Sequence, residues 1–254
     1  MSYAVSRRVL AENGRIFPLE VGGEKVFVKK RSRPRNALGI HLQRLLCAAT
    51  GIVLLRPPEK SPVGDIRHEA ATLARLAAGG IRVPDILHVE DDYFVMSDVG
   101  PSLEAVIRDN PAEGDGLVRN ALDELRRLHD LRFAHGGAQI KNMAVREGVI
   151  HFLDFEEVVP ERHLEDFQVR DLFLFLFSLE RCGFNPDLPG LLAAYGKGGA
   201  EARPARLLRF LKKMRIITIA DSRLFRWLKI RDIRAISTLV KKAAALEPST
   251  RITT

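Results

Sequence analysis

The spacing of apolar positions changes period several times along this chain, and each change predicts an element. Over the first thirty residues short apolar runs are broken by Asn13-Gly14 and Gly22-Gly23, the signature of hairpin-linked antiparallel strands, with Val26-Phe27-Val28 the clearest strand. Residues 31–35 form a basic, proline-containing loop. Residues 38–55 predict a helix, and so do residues 66–76, where Ile66, Ala70, Leu73 and Leu76 recur at helical spacing. After Gly79-Gly80, residues 83–89 and 93–96 predict strands that close a small N-terminal sheet. Val99-Gly100-Pro101 interrupts the pattern and predicts a linker.

Beyond the linker the periods lengthen. Leu117, Ala121, Leu125 and Leu128 mark a core-facing helix that delivers the chain to His135. Residues 143–145 and 149–153, separated by Glu147-Gly148, predict a strand pair that ends at Asp154. Residues 172–179, with Phe173, Phe175 and Phe177, are apolar on all sides and predict a buried helix. The expected architecture is α+β and two-lobed. Residues 1–98 make a small antiparallel β-sheet lobe with helices, residues 99–202 a mainly helical lobe, and residues 203–254 a basic helical tail packed on or extending the second lobe. At 254 residues and 46% hydrophobic composition, the chain can bury a substantial core.

Charge changes the picture in one region. The net charge is +8, but residues 203–242 carry +11 and the rest of the chain −3. Within that stretch Leu207, Leu211, Met214, Leu224 and Leu228 leave another face to Arg206, Arg209, Lys213 and Arg223. One reading packs the apolar stripe onto the second lobe and leaves the charges solvated. The other uses Arg206, Arg209, Lys212, Lys213, Arg226 and Lys229 to meet an anionic membrane face or a phosphorylated glycolipid. Nucleic acid is a further anionic partner, whose binding would fall steeply with salt. Two cysteines, Cys47 and Cys182, form no metal-ligand pattern. A reducing, cytoplasmic setting is expected, with peripheral contact at the inner face of the cytoplasmic membrane if the tail meets lipid. Residues 1–15 hold no apolar core of signal-peptide length, so secretion is not expected.

The candidate chemistry lies at the ends of these elements. Lys29 closes the Val26-Phe27-Val28 strand, and strand alternation sends it and Lys30 to opposite faces. Glu69 sits near the start of the second helix, where it could pair with Lys29. Asp154 ends an apolar strand, and Asn142 lies twelve residues earlier; together they offer hard oxygen ligands suited to Mg²⁺. Taken alone, each has a bland reading as a strand end, a solvated carboxylate or a turn residue. Their joint order, Lys29, Glu69, His135-Gly136, Asn142, Asp154, is that of a phosphoryl-transfer site, which must clamp phosphates, neutralise their charge and place an acceptor in line.

At these residues the chain resembles the protein-kinase-like superfamily, and within it the small bacterial lipopolysaccharide core kinases and the compact atypical kinases associated with tRNA modification. Their catalytic loop reads approximately H-G-D-x-x-x-x-N, against His135-Gly136-Gly137-Ala138-Gln139-Ile140-Lys141-Asn142 here. Glu12-Asn13-Gly14-Arg15 with Phe27, Lys29 and Glu69 is similar to the start of the core kinases, and the resemblance covers roughly residues 9–179. It implies ATP and Mg²⁺ between two lobes. Lys29, Glu69, Met96 and Asp98 would bind the nucleotide; Asn142, Asp154 and Glu156 would hold the metal; His135, Gly137, Asn142 and Asp154 would form the catalytic set, with Asp171 bracing the loop.

Gly137 stands where that pattern has its catalytic Asp. Three readings follow: an atypical kinase with an acidic acceptor or with a base supplied by Glu156, Glu157 or Asp98; a pseudokinase that binds nucleotide as a scaffold; or a nucleotidyl transferase. The first explains why Lys29, Glu69, Asn142 and Asp154 all stand together. The implied substrate is a cell-envelope sugar hydroxyl of lipopolysaccharide type, a phosphorylated glycolipid or another small acceptor.

Overall fold

The computed structural model describes residue 9 and residues 12–31, 59–60, 66–214 and 231–246. The predicted helix over 38–55 and the basic residues Arg223, Arg226 and Lys229 lie outside the described residues. Strands β1 (Ile16–Val21), β2 (Glu24–Lys30), β4 (Ile86–Val89) and β5 (Tyr93–Ser97) form one antiparallel sheet in the order β1-β2-β5-β4. β3 (Glu59–Lys60) lies outside this sheet and pairs elsewhere.

Alternation along β2 assigns its two faces. Val26 and Val28 join Val9, Phe17, Leu19, Tyr93 and Val95 in a small apolar core on one side. Phe27 and Lys29 take the opposite side with their register partners Met96 and Phe94. Helix α1 (Ile66–Ala78) buries Ile66, Glu69, Ala70, Leu73 and Leu76, one continuous helical stripe. A carboxylate in that stripe must find a partner, because an unpaired buried charge is expensive.

Pro101 and Ser102 lead from the sheet into the second lobe. Ser102 Oγ accepts from Ala105 N–H at 3.2 Å and caps α2 (Leu103–Asp109). Helix α3 (Gly114–Asp130) turns Leu117, Val118, Ala121, Leu122, Leu125 and Leu128 inward, then gives way to the loop that carries His135. β6 (Met143–Arg146) and β7 (Val149–Phe152) form a hairpin whose turn places Glu147 and Gly148 at φ of 53° and 75°. β8 (Glu157–Val158) then pairs with β3.

Helix α4 (Leu164–Cys182) begins well before the apolar run predicted at 172. Its first two turns carry Glu165, Asp166, Gln168 and Arg170 among Phe167 and Val169, an amphipathic mixture that an all-apolar pattern does not register. α5 (Leu188–Gly196), α6 (Ala202–Lys213) and α7 (Arg231–Ala245) complete the described helices. The strand expected from 83 starts at 86 instead; Pro84, with no N–H to donate, falls in the segment before it.

The described part of the basic tail is built into the lobe. Leu207, Phe210, Leu211 and Met214 belong to the same core as α3 and α4. Arg206 pairs with Glu165 at 2.8 Å and with Asp166, and Arg203 meets Asp130 at 3.1 Å. Lys242 pairs with Glu180 and donates to Asn185 Oδ1 at 2.7 Å. Arg209 and Lys213 are exposed. Among the described residues no helix is long and apolar enough to cross a membrane.

The two lobes meet at a tight linker. Gly100 has φ of +90°, and a Cβ there would lie 2.2 Å from the carbonyl oxygen of Val145. Val145 N–H donates to Pro101 O at 2.8 Å, so the linker is fastened to β6. Gly100→Ala is therefore expected to destabilise the fold by about 1–3 kcal/mol from backbone strain and collision, read as a lower denaturation midpoint. An unchanged midpoint would show that the linker is not constrained in this way.

Candidate active site

Lys29 projects from β2 into the space between the lobes and is 2% exposed. Its ammonium donates to Glu69 Oε1 at 2.6 Å and Asp154 Oδ1 at 2.6 Å, and lies 3.0 Å from Glu156 Oε1. The neighbouring Lys30 goes the other way, 5.4 Å from the centre of the Phe17 ring. Strand, helix and hairpin end thus converge on one cation from positions 40 and 125 residues away in the chain. Arg15, just before β1, pairs with Glu156 and closes the acidic side of the cluster.

The carboxylates respond differently to this shared cation. Burial raises the Glu69 carboxyl above its ordinary value of 4.5, and the Lys29 charge and hydrogen bond offset this only in part. For Asp154, burial again acts upward, but Lys29, His135 and Arg15 outweigh it and hold the carboxyl below its usual 3.8. Solvent access explains the contrast. The Asp154 side chain is 37% exposed and that of Glu69 5%.

Asp154 adopts φ of +69°, a left-handed conformation uncommon outside glycine. Two neighbours hold it there. Leu153 N–H donates to Asn142 O at 2.9 Å, and Phe155 stacks on the buried His135 ring with centroids 4.4 Å apart. The reversal after β7 lets the carboxylate reach Lys29 while Phe155 remains in the core.

The loop from His135 to Asn142 hangs on Asp171. That carboxylate is fully buried and accepts from His135 N–H at 2.6 Å and Ala138 N–H at 3.4 Å. His129 Nε2 lies 3.3 Å from the same group, and His129 Nδ1 lies 2.5 Å from the Tyr195 hydroxyl. Burial, opposed by Asp171, lowers the His129 pKa; burial raises that of Tyr195. Both are therefore neutral at ordinary pH and act as a rigid brace. Asn142 Nδ2 donates to Gly137 O at 2.9 Å, and Gly137 N–H to His135 Nδ1 at 3.3 Å. A Cβ at Gly137 would meet nothing closer than 3.7 Å.

Ile16, Phe27, Leu73, Met96, Val99 and Leu153 wall an apolar slot that opens onto Lys29, Glu69 and Asp154. Such a slot accepts a flat heteroaromatic ring and leaves a charged tail at the polar end. Oxygens of Glu69, Asp154 and Glu156 lie within 4.8 Å of one another, a hard donor set that fits Mg²⁺. Lys29 stands among the three.

Of the sequence-predicted positions, Lys29, Glu69, Met96, Asp98 and Asp154 line this one cleft, with Glu156 beside Lys29. His135, Gly137 and Asn142 lie in the adjoining loop. Asp98 has a second occupation: its carboxylate accepts from Gly100 N–H at 2.9 Å and pairs with Lys25 at 2.9 Å, shaping the linker. Glu157 faces a separate cavity with His68, Thr72 and Phe155, and lies 3.6 Å from Arg170. Sequence reasoning did not single out His129, Tyr195 or the Arg15–Glu156 pair. His129 follows Leu128 at the end of the α3 stripe, which was the available signal for its burial; the pairing of Arg15 has none.

A small antiparallel sheet with one buried helix, a linker, and a helical lobe carrying a loop and a strand-end carboxylate together define the protein-kinase-like fold. Residues 48–171 match the model of the phosphotransferase enzyme family. The chain is also 28% identical over 171 residues to an uncharacterized protein of Haemophilus influenzae, covering 66% of this chain and 63% of that protein. Over 114 residues it is 31% identical to a RIO-type serine/threonine-protein kinase of Haloferax volcanii, covering 42% of this chain and 38% of that one. The chain thus spans less than two thirds of either relative. These likenesses, with the fold, support a kinase-like phosphotransferase.

Removing one partner of a buried pair strands the other. Lys29→Met should cost about 3–5 kcal/mol of stability because Glu69 loses its counter-ion, and adding Glu69→Leu should recover most of it. Denaturant midpoints of the single and double variants test this. Equal losses in both would mean that the pairing has no energetic role.

Proposed function

We propose that the protein is an atypical Mg²⁺- and ATP-dependent phosphotransferase acting on an acceptor of the cell envelope, either a lipopolysaccharide-type sugar or a phosphorylated glycolipid. The convergence of Lys29, Glu69 and Asp154 on one point beside an apolar slot carries the reading. The slot takes the adenine. Lys29, held by Glu69, contacts the phosphates, and Asp154 with Asn142 and Glu156 would hold the metal. Mg²⁺, when bound, neutralises charge on the transferring phosphoryl group. Asp171 fixes the loop so that the acceptor meets the phosphate from the Gly137 side. The envelope acceptor rests on the resemblance to the lipopolysaccharide core kinases. The similarity to a RIO-type kinase supports phosphoryl transfer in general.

A second reading, a nucleotide-binding scaffold, is favoured by the missing carboxylate at Gly137. Calorimetric titration of Mg-ATP into wild type and Asp154→Asn, followed by transfer assays with lipopolysaccharide precursors, separates the two. Metal-dependent binding that weakens about tenfold or more in Asp154→Asn, with phosphate reaching an acceptor, is the expected result. Binding without transfer supports the scaffold, movement of AMP supports nucleotidyl transfer, and absence of Mg-ATP binding removes the proposal.

The pH dependence has a definite sign. Because burial raises Glu69, acidification protonates it first, above the ordinary glutamate range, and weakens its hold on Lys29 while Asp154 is still ionised. Nucleotide affinity should therefore fall on the acid side through that range. Glu69→Gln should bind more weakly and lose this acid limb. A limb that persists in the variant would assign it to another group.

A further inference from the structure

We infer that the acceptor presents an oxygen already ionised at neutral pH, a phosphate monoester or a carboxylate, so that transfer needs no general base at position 137. This rests on the phosphotransferase reading and narrows its substrate. The first observation is that the loop is fully assembled yet carries no acid. Between His135 and Asn142 there is one cation, Lys141, and no Asp or Glu. Even so, Asp171 holds His135 and Ala138, and Asn142 holds Gly137 O.

The second observation is that the neighbouring carboxylates are engaged. Glu69 and Asp154 are hydrogen-bonded to Lys29, and Glu156 is shared between Lys29 and Arg15. Asp98 is bound to Gly100 N–H and Lys25. Glu157 lies against Gly136 and faces the other cavity, where a Cβ built on Gly136 would come within 2.5 Å of its Oε2. Glu69, Asp154, Glu156 and Asp98 thus already hold cations or a backbone N–H, and Glu157 lies 3.6 Å from Arg170.

The third observation concerns space. A side chain can start at 137, since a Cβ would sit 3.7 Å from Asn142 Nδ2 and 3.9 Å from His135 Nδ1. The carboxylate is missing although neither backbone conformation nor Cβ space requires glycine there. For a hydroxyl acceptor, losing general-base help would slow transfer by about 10²–10⁴. An anionic acceptor has no proton to lose. Its oxygen forms a bond to the γ-phosphorus as the bond from that phosphorus to the bridging oxygen breaks, and ADP leaves with the electron pair. The product is a phosphoanhydride or an acyl phosphate. Such a step exchanges one anhydride for another, so it runs in both directions and needs a following reaction that consumes the activated product.

The full chain, Mg²⁺ and γ-labelled ATP are combined with inorganic phosphate, with acetate under hydroxylamine trapping, or with glycerol, from mildly acid to mildly alkaline pH. Labelled pyrophosphate, or acetohydroxamate in the acetate arm, is expected to form at least about tenfold faster than labelled glycerol phosphate, with the phosphate arm levelling off once its acceptor is ionised. The phosphate and acetate arms distinguish the two anionic sources. Gly137→Asp is expected to raise transfer to glycerol by about 10²-fold or more. Gly137→Ala, which adds the methyl without the carboxylate, should not raise it.

Glycerol labelled by wild type as fast as either anion overturns the inference. Mg-ATP binding with no label reaching any of the three acceptors defeats the phosphotransferase reading itself, and the inference with it. If Gly137→Asp fails to fold, the wild-type acceptor preference alone decides. Failure of the parent reading is thus distinct, as absence of Mg-ATP binding in the calorimeter or binding with no labelled acceptor, whereas failure of the inference alone shows label on glycerol.

Discussion

The arrangement depends on one buried ammonium. An ammonium that is 2% exposed is costly to bury without counter-ions. Two consequences follow for the rest of the chain. Helix α1 must rotate so that Glu69, and not its solvent face, meets the sheet; the apolar stripe of Ile66, Ala70, Leu73 and Leu76 is in phase with that demand. The second lobe must bring Asp154 to the same point, which it does through a left-handed residue that local preference disfavours. Pairs of this kind add little net stability compared with apolar contacts, but they penalise every arrangement in which the partners are apart. The lobes are therefore positioned by charge as well as by the linker at Gly100.

A second fixed point lies on the helical side. Asp171 is fully buried and serves two backbone N–H groups and the imidazole of His129. Hydrogen bonds to a charged acceptor are among the stronger ones, and here they bind the loop to helix α4. Tyr195 extends the brace to α5. Lys29 and Asp171 thus anchor opposite walls of the same cleft, one through the sheet and one through α4. Asn142 joins them, since its backbone oxygen accepts from Leu153 N–H beside Asp154 and its amide holds Gly137.

Much of this was readable before the structure because the two elements that deliver chemistry are periodic. Alternation in Val26-Phe27-Val28-Lys29 sets the face of Lys29, and helical spacing puts Glu69 on the buried stripe. What escaped was aperiodic. β3 and β8 are two residues each, too short to show any period, and their pairing exists only because the second lobe delivers residue 157 to the sheet side. The polar start of α4 hides among charges that turn out to be partners: Glu165 and Asp166 receive Arg206, and Asp130 receives Arg203. Charge composition reports how many cations a segment holds and not which acids they meet. For that reason the tail reads as a free basic face in sequence, and its described part is a packed helix with two of its arginines paired.

The two adjacent glycines of the loop make the same distinction at the level of chemistry. Gly136 has φ of +81°, and the Glu157 side chain lies against it, so both backbone conformation and space require glycine there. Neither requirement applies to Gly137, whose backbone lies outside the left-handed region and whose missing Cβ faces ordinary contact distances. Folding explains the first glycine and is indifferent to the second. On the proposed phosphotransferase reading, a residue that the fold does not demand, standing at the position of the resembled loop's carboxylate, is accounted for by the reaction. Without an acid at 137, no negative charge from the loop faces an incoming anion, and at short range in a partly desolvated cleft a like-charge pair would be strongly repulsive. The glycine that removes a base thus also removes a barrier to an anionic acceptor, and both effects favour the same class of substrate.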